Sequence, residues 1–465
     1  MKLYNTLTRK IEEIGPEDRT AVKVYTCGPT VYDYPHIGNW FTFIRYDLLI
    51  RVLQMRNYSP LWVLNITDVG HLVSDADEGQ DKLEKGAERE GKNAWEIANF
   101  YTDYFISGLK CLDIVQPNQI PRATDHIDDQ IVLIKKLENA GYTYIISDGV
   151  YYDTSKFPRY RDFARLDSDD QSSSRIESNT EKRSSRDFAL WKFSPKDKQR
   201  DMEWDSPWGK GFPGWHIECS AMALKYLGET VDIHCGGIDH IPTHHTNEIA
   251  QSEVITGKPL AKVWMHTNHI TIDDQKISKS LANGLTLEDI KNKGFSLRAF
   301  RLHVLESHYR NQSKFSWDSL RAADARLKSL YNLAVLRWQT IESSESHIDF
   351  DQAVRDDLIT PLADDLNTPL ALAHLSHREA IVSDDLIPDK DLEQFEKYLE
   401  SIDKLFGLDL LSRTDISTDQ KNIIAQREVA RGQQNWAQAD ELRNKLSKDG
   451  IGIRDTAKRP IWYYL

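Results

Sequence analysis

The pattern of apolar and polar positions changes character twice along the chain. At first, short β-branched runs alternate with longer stretches in which apolar residues recur every three to four positions. Val22-Lys23-Val24-Tyr25 reads as a strand, and Phe41, Ile44, Leu48, Leu49, Val52 and Leu53 mark the inner face of an amphipathic helix after it. Residues 61–68, Leu-Trp-Val-Leu-Asn-Ile-Thr-Asp, read as the next strand and complete a βαβ unit. A helix is expected over 131–137, after which the pattern turns strand-like at 142–146 and 149–152. The α/β alternation resumes at 231–237 and 262–266. From about 297 the period is helical to the end, with breaks near Pro361, Pro369 and Gly407, and there is no internal repeat.

These changes predict an α/β fold with a parallel-sheet, Rossmann-type domain, an insertion within it, then an all-helical region from about 297 to the end. The expected boundaries are 1–124 and 206–296 for the two halves of the α/β domain and 125–205 for the insertion. Serine-rich sequence between 167 and 186 reads as a surface loop.

Composition narrows the function. The net charge of -13 argues against a protein that coats nucleic acid. Residues 420–465 nonetheless carry nine Lys and Arg against five Asp and Glu, which fits either an anion-facing tail or a solvated helix surface. Four scattered cysteines make no disulfide framework, no apolar run is long enough for a membrane helix, and the N-terminus lacks a secretory apolar segment. A cytoplasmic location is expected.

Candidate chemistry concentrates in a few segments. Cys27-Gly28-Pro29-Thr30-Val31-Tyr32-Asp33-Tyr34-Pro35-His36-Ile37-Gly38-Asn39 lies between the first strand and its helix, where backbone N–H groups and a positive helix end suit phosphate. Far downstream, Lys276-Ile277-Ser278-Lys279-Ser280 sets two cations around a hydroxyl residue, as a loop neutralising triphosphate charge would. Each lysine singly is equally consistent with a solvated charge cluster. Gly214-Trp215-His216-Ile217-Glu218-Cys219 should open a helix, and His244 and Glu248, four apart, should share one helix side. With Cys27 and Cys219 they would form a two-sulfur, nitrogen and oxygen set suited to tetrahedral zinc. Spacing alone leaves open a buried hydrophobic Cys and an ordinary helix-surface pair.

The His36–Asn39 turn together with Lys276–Lys279 resembles the signature pair of class I aminoacyl-tRNA synthetases. The blocks at 27–33, 214–219 and His244-His245-Thr246-Asn247-Glu248-Ile249-Ala250-Gln251-Ser252 resemble those of the cysteinyl-tRNA synthetase family. The resemblance implies one Zn2+ per chain on Cys27, Cys219, His244 and Glu248, joined by the substrate thiol. It implies ATP binding, with Mg2+, by His36, Gly38, Asn39, Lys276, Ser278 and Lys279; catalysis would rest on His36, Lys276 and Lys279. Thr67, Trp215, His234 and Asp239 would line a pocket for L-cysteine, and a monomer acting on ATP, L-cysteine and tRNA(Cys) is implied. Trp215 is also readable as a core aromatic, and His245 as an orienting or packing residue. Cys235 has no assigned role.

The sequence departs from the family pattern at Asn39, commonly His, at Ile277, usually Met, and at Thr246, where Glu is frequent. Val69-Gly70-His71-Leu72 replaces a commonly acidic segment. The resemblance continues through His308-Tyr309-Arg310, Asp364-Asp365-Leu366-Asn367-Thr368-Pro369 and the block from Asn435 to Arg443, so it spans the chain and implies a helical bundle over 297–410 and a small C-terminal helical domain over 415–465 that read the tRNA. Trp436, Ala439, Leu442 and Leu446 fall near one helical face, which places Trp436 in a core; Arg427, Arg431 and Arg443 are candidate phosphate contacts or solvated charges. Two other readings compete: a cysteine:amino-sugar ligase of mycothiol synthesis, which leaves the helical tail unexplained, and a catalytically silent zinc- or tRNA-binding paralogue.

Overall fold

The computed structural model describes residues 1–15, 21–70, 82–165, 180–195, 200–272, 275–276, 284–342 and 348–465. The chain divides into two units, one of residues 1–289 with 309–314 and one of 290–308 with 315–465.

In the first unit, β1 (Lys2–Asn5) and β2 (Lys10–Glu13) form an antiparallel hairpin ahead of β3 (Ala21–Thr26). β3 leads through the glycine-bearing turn into α1 (Ile37–Met55), and the chain returns in β4 (Ser59–Leu64), parallel to β3. The expected amphipathic first helix is instead buried on nearly every face, because its polar residues find partners inside. Arg51 bonds Asp47 at 2.7 Å and Asp113 at 3.0 Å, and Arg45 donates to the Asn268 carbonyl and the Ser313 hydroxyl.

Helices α2 (Lys82–Glu90), α3 (Ala94–Cys111) and α4 (Ile127–Asn139) follow. Then come β5 (Thr143–Ile146), β6 (Gly149–Tyr152), β7 (Phe188–Phe193) and β8 (Gly211–Pro213), an antiparallel sheet in that order. Gly214 comes next, and a side chain there would meet the Ala189 carbonyl oxygen at 1.9 Å, so only glycine lets the chain leave the sheet this closely. It opens α5 (Trp215–Leu227), followed by β9 (Val231–Gly237), α6 (Thr246–Thr256) and β10 (Ala261–Thr267).

The parallel sheet has the order β10-β9-β3-β4. β3 passes to β4 on one side, and the chain later crosses back to β9 on the other. That reversal opens a crevice at the carboxyl ends of β3 and β9, where ligands bind in open α/β sheets. Beyond it, β11 (Ile270–Ile272) pairs with β12 (Gln275–Lys276), which places the backbone of Lys276 on a strand. Ser278 and Lys279 lie outside the described residues, as does most of the serine-rich segment.

The second unit carries helices Leu297–Leu305, Trp317–Ala334, Thr368–Asp385, Leu392–Phe406, Thr418–Gly432 and Trp436–Lys448. Capping boxes at Ser316 and Ser417 start two of them, and left-handed Gly407 ends another. The helical period stops at Lys448, and the chain closes with an antiparallel hairpin of Ile451–Asp455 and Pro460–Tyr464. Each strand is only five residues long, too short for its alternation to stand out from the helical sequence before it. Ile451, Ile453 and Trp462 pack with Leu446 and Ile423. Among the described residues no helix is long and apolar enough to cross a membrane.

Two expectations for this region are corrected. Trp436 is 57 % exposed rather than in the core: it opens its helix, and the buried face begins at Ala439. Arg427 is no free phosphate contact, because it is buried and grips Asp455 with two hydrogen bonds of 2.8 and 2.9 Å. Arg427→Ala is therefore expected to cost about 2–3 kcal/mol by stranding a half-exposed carboxylate and opening the helix–hairpin contact. Urea unfolding checks this; a change below about 0.5 kcal/mol would mean the pair contributes no net stability.

Candidate active site

Each strand end at the crevice contributes a functional side chain. Cys27 directly follows β3, Asn65 and Thr67 follow β4, and Asp239 follows β9 on a short 3-10 turn, Ile238–His240. A π-turn, Ile241–His245, then feeds α6; the Thr246 hydroxyl donates to the Ile241 carbonyl at 2.7 Å and ties that turn down. His244 and Glu248 keep their one-turn relation, with Nε2 and Oε1 3.1 Å apart. Cys219 comes from α5.

Cys27, Cys219, His244 and Glu248 converge, with one ligand atom from each lying within 4.8 Å of all the others. All four are buried. A second set, Cys27, His234, His245 and Glu248, meets the same limit. Three members of the first set, Cys27, Cys219 and His244, line the adjoining cavity of about 190 Å3, against Cys27 alone of the second. In the second, His234 is bound to the Glu248 Oε2 at 2.9 Å, and His245 sits 2.8 Å from His266, which reaches the Thr6 hydroxyl. The first set therefore fits a metal ion that must also meet a bound ligand, with the other imidazoles orienting it from behind.

The electrostatics favour a cation. Burial would lower the His244 pKa, but the Glu248 carboxylate and the Cys219 sulfur outweigh it and lift it to about 10. Burial would raise Glu248; the charges of His234 and His244 instead hold it well below the usual carboxylate range. Burial and the neighbouring Cys219 push the Cys27 thiol up, while hydrogen bonding from Cys27 draws Cys219 down to about 7. The pocket thus already assembles one anionic oxygen and one sulfur poised to lose its proton.

Thr67, Trp215 and Asp239 line the same cavity. Trp215 is half-buried, its ring centre 4.5 Å from that of His244, so it faces the site rather than the core. Asp239 is exposed at the mouth. His234 is fully buried behind the cavity, stacked on Trp264 with ring centres 4.5 Å apart.

His36 is the N-cap of α1. Its Nδ1 accepts from the Asn39 backbone N–H at 3.3 Å, and the His36 N–H donates to the Asn39 side-chain oxygen at 3.0 Å. Because Nδ1 accepts, the neutral ring carries its proton on Nε2. Asn39 thus has a structural reason for standing where His is common: it closes the capping box that fixes His36. It also borders the cavity. A side chain at Gly38 would come within 2.9 Å of the His36 ring. His216, His240 and His266 join the cluster without having been singled out from sequence; they meet through the sheet crossover, which no local spacing reveals.

A match to a class I catalytic-domain family over more than half of its length places the chain among class I aminoacyl-tRNA synthetases. Residues 13–325 match the family described as tRNA synthetases class I (C) catalytic domain, and residues 413–462 match the cysteinyl-tRNA ligase anticodon binding domain. Cysteine–tRNA ligase 1 of Burkholderia lata is 44% identical over 461 residues, covering 98% of this chain and 95% of that protein. The cysteine–tRNA ligase of Treponema denticola is 40% identical over 494 residues, covering 99% of each. In fold, the chain is similar to methionyl-tRNA synthetase of Mycobacterium tuberculosis in complex with methionyl-adenylate, with a TM-score of 0.59 and 14% identity over 84% of this chain and 93% of that one. The chain belongs to the cysteine–tRNA ligase family and is an enzyme of the ligase class.

Proposed function

We propose that the enzyme joins L-cysteine to tRNA(Cys) in two steps at this crevice. The cysteine carboxylate attacks the α-phosphate of ATP and displaces pyrophosphate; a ribose hydroxyl of the terminal tRNA adenosine then takes the acyl group from the adenylate. Neither step needs a strong protein base; both need held reactants and neutralised charge. His36 donates from Nε2 to phosphate, Gly38 leaves room for the nucleotide beside that ring, and Asn39 keeps the imidazole in place. Lys276, Ser278 and Lys279 hold the departing pyrophosphate, and Mg2+ bound with ATP would supply further neutralisation of its charge.

Thr67, Trp215 and Asp239 shape the cysteine pocket, Asp239 taking the α-ammonium and Trp215 closing over the side chain, while His234 acts from behind it by holding Glu248. Cys27, Cys219, His244 and Glu248 would hold one Zn2+, and their mixed sulfur, nitrogen and oxygen donors suit it. Zinc would supply a preference for the substrate's thiolate over the hydroxyl of serine, a distinction an apolar pocket makes poorly. The convergence of these four donors on a cavity that also carries Thr67 and Trp215 is the observation on which the proposal rests.

We read residues 125–205 as a connective insertion, and the helical half, with its hairpin-bearing end at 415–465, as the tRNA-reading part. Exposed Trp436, with the Arg431 guanidinium 5.8 Å from its ring centre, is available for stacking on a base. Cysteine-dependent ATP–pyrophosphate exchange tests the first step and tRNA charging the second. Exchange without charging would favour the amino-sugar ligase, and neither would favour a silent paralogue.

The four thiols report on the metal directly. Cys111 is exposed, whereas Cys27, Cys219 and Cys235 are buried, and burial also holds the Cys235 thiol well above its usual pKa. A disulfide-exchange reagent is expected to modify about one thiol quickly in the zinc-loaded protein and about three after chelation, with Cys235 reacting only on denaturation. A count unchanged by chelation would contradict thiolate ligation.

A further inference from the structure

Asn65 stands just beyond β4, is 1 % exposed and lines the cavity, yet neither step proposed above uses it. Its side chain has three partners. The Gly28 backbone N–H donates to its oxygen at 2.9 Å, the Cys219 thiol reaches the same oxygen at 3.7 Å, and its amide nitrogen donates to the Thr67 hydroxyl at 3.2 Å. Gly28 N–H can only donate, so the amide oxygen must face it and the nitrogen must face Thr67. The orientation of the amide is therefore fixed by chemistry. The backbone approach is equally tight: a side chain on Gly28 would come within 1.6 Å of the Asn65 carbonyl oxygen.

We infer that Asn65 is a positioning residue coupling the turn that carries Cys27 to the amino-acid pocket. Its oxygen holds that turn through the Gly28 N–H, a bond that persists whether or not the Cys219 thiol keeps the proton it donates to the same oxygen. The nitrogen occupies an acceptor site of the Thr67 oxygen, and the Thr67 O–H donates to the buried Glu218 carboxyl group, so the hydroxyl is held from both sides at the cavity wall. Without Asn65 the Cys27 turn loses its side-chain anchor, and Thr67 loses the donor that holds its oxygen in place beside the cavity. ATP contacts, made from His36 and the lysine loop, do not depend on this amide. The inference rests on the proposed binding of cysteine and zinc at this site.

The test uses the full chain, Asn65→Ala and Asn65→Asp, each loaded with Co2+ in place of zinc and each assayed by pyrophosphate exchange. Asn65→Asp keeps an acceptor for Gly28 but cannot donate to Thr67, so it reads the second function alone if the alanine variant fails to fold. The KM for cysteine is expected to rise about tenfold in both variants, with the KM for ATP changed less than about twofold. The thiolate-to-cobalt absorption bands, read without turnover, are expected to shift in Asn65→Ala, an effect a merely structural loss would not produce. Bands that superimpose on those of the unaltered protein, with an unchanged ratio of the two KM values, would overturn the inference. An unaltered protein with no thiolate–cobalt band would overturn the metal reading beneath it instead.

Discussion

Cys219→Ser is expected to lower kcat/KM for cysteine in pyrophosphate exchange by about a thousandfold or more. The substitution is nearly isosteric, and Cys219 sits in a helix whose neighbours Ile217, Met222 and Ala223 are fully buried, so the fold should persist. What changes is the donor. Serine offers a hydroxyl that stays protonated near neutrality, whereas the Cys219 thiol is already drawn down to about 7. Zinc content should fall well below one ion per chain, and the margin of cysteine over serine should shrink with it. Elemental analysis and exchange kinetics on the same preparation check both. Full zinc occupancy with undiminished cysteine preference would remove Cys219 from the ligand set.

His36→Asn is expected to reduce kcat for adenylation by about a hundredfold to a thousandfold, with little effect on the KM for cysteine. Asparagine is as good an N-cap as any residue, so the start of α1 and its capping box should survive. The imidazole Nε2–H, the donor to phosphate in the proposed mechanism, would be lost. Thermal unfolding within a few degrees of the unaltered protein, with exchange kinetics at saturating cysteine, separates the two contributions. A variant that keeps near-normal kcat would reduce His36 to a capping residue.

Much of the first unit was legible in the sequence for a simple reason. Strands stand out as short runs carrying β-branched residues between helical stretches, and 231–237 coincides with β9 residue for residue. The Gly214 start of α5 was equally plain, since glycine followed by an apolar helical period marks a boundary. α1 misled in degree, because buried Arg45, Asp47 and Arg51 look like a solvated face until their distant partners are known. The terminal hairpin was missed because five-residue strands after a helix leave little alternation to detect.

The site divides in the same way. His244 and Glu248 were readable as neighbours because one helical turn separates them. Cys27 and Cys219 are 192 positions apart, and only the crossing from β4 back to β9 brings their elements together. The roles of Asn39 and Asn65 were hidden for another reason: each acts through hydrogen bonds to its neighbours' backbones and side chains, which composition cannot express. Trp436 was placed in a core by its helical phase, but phase does not say where along a helix the buried contact begins.

Attachment of radiolabelled cysteine to tRNA(Cys) by the purified, zinc-verified protein with ATP and Mg2+, run beside labelled serine, bears on the central claim most directly. The account predicts charging with cysteine and none above background with serine, lost on chelation and restored by zinc. Equal charging with both amino acids, or cysteine charging indifferent to zinc removal, would contradict it.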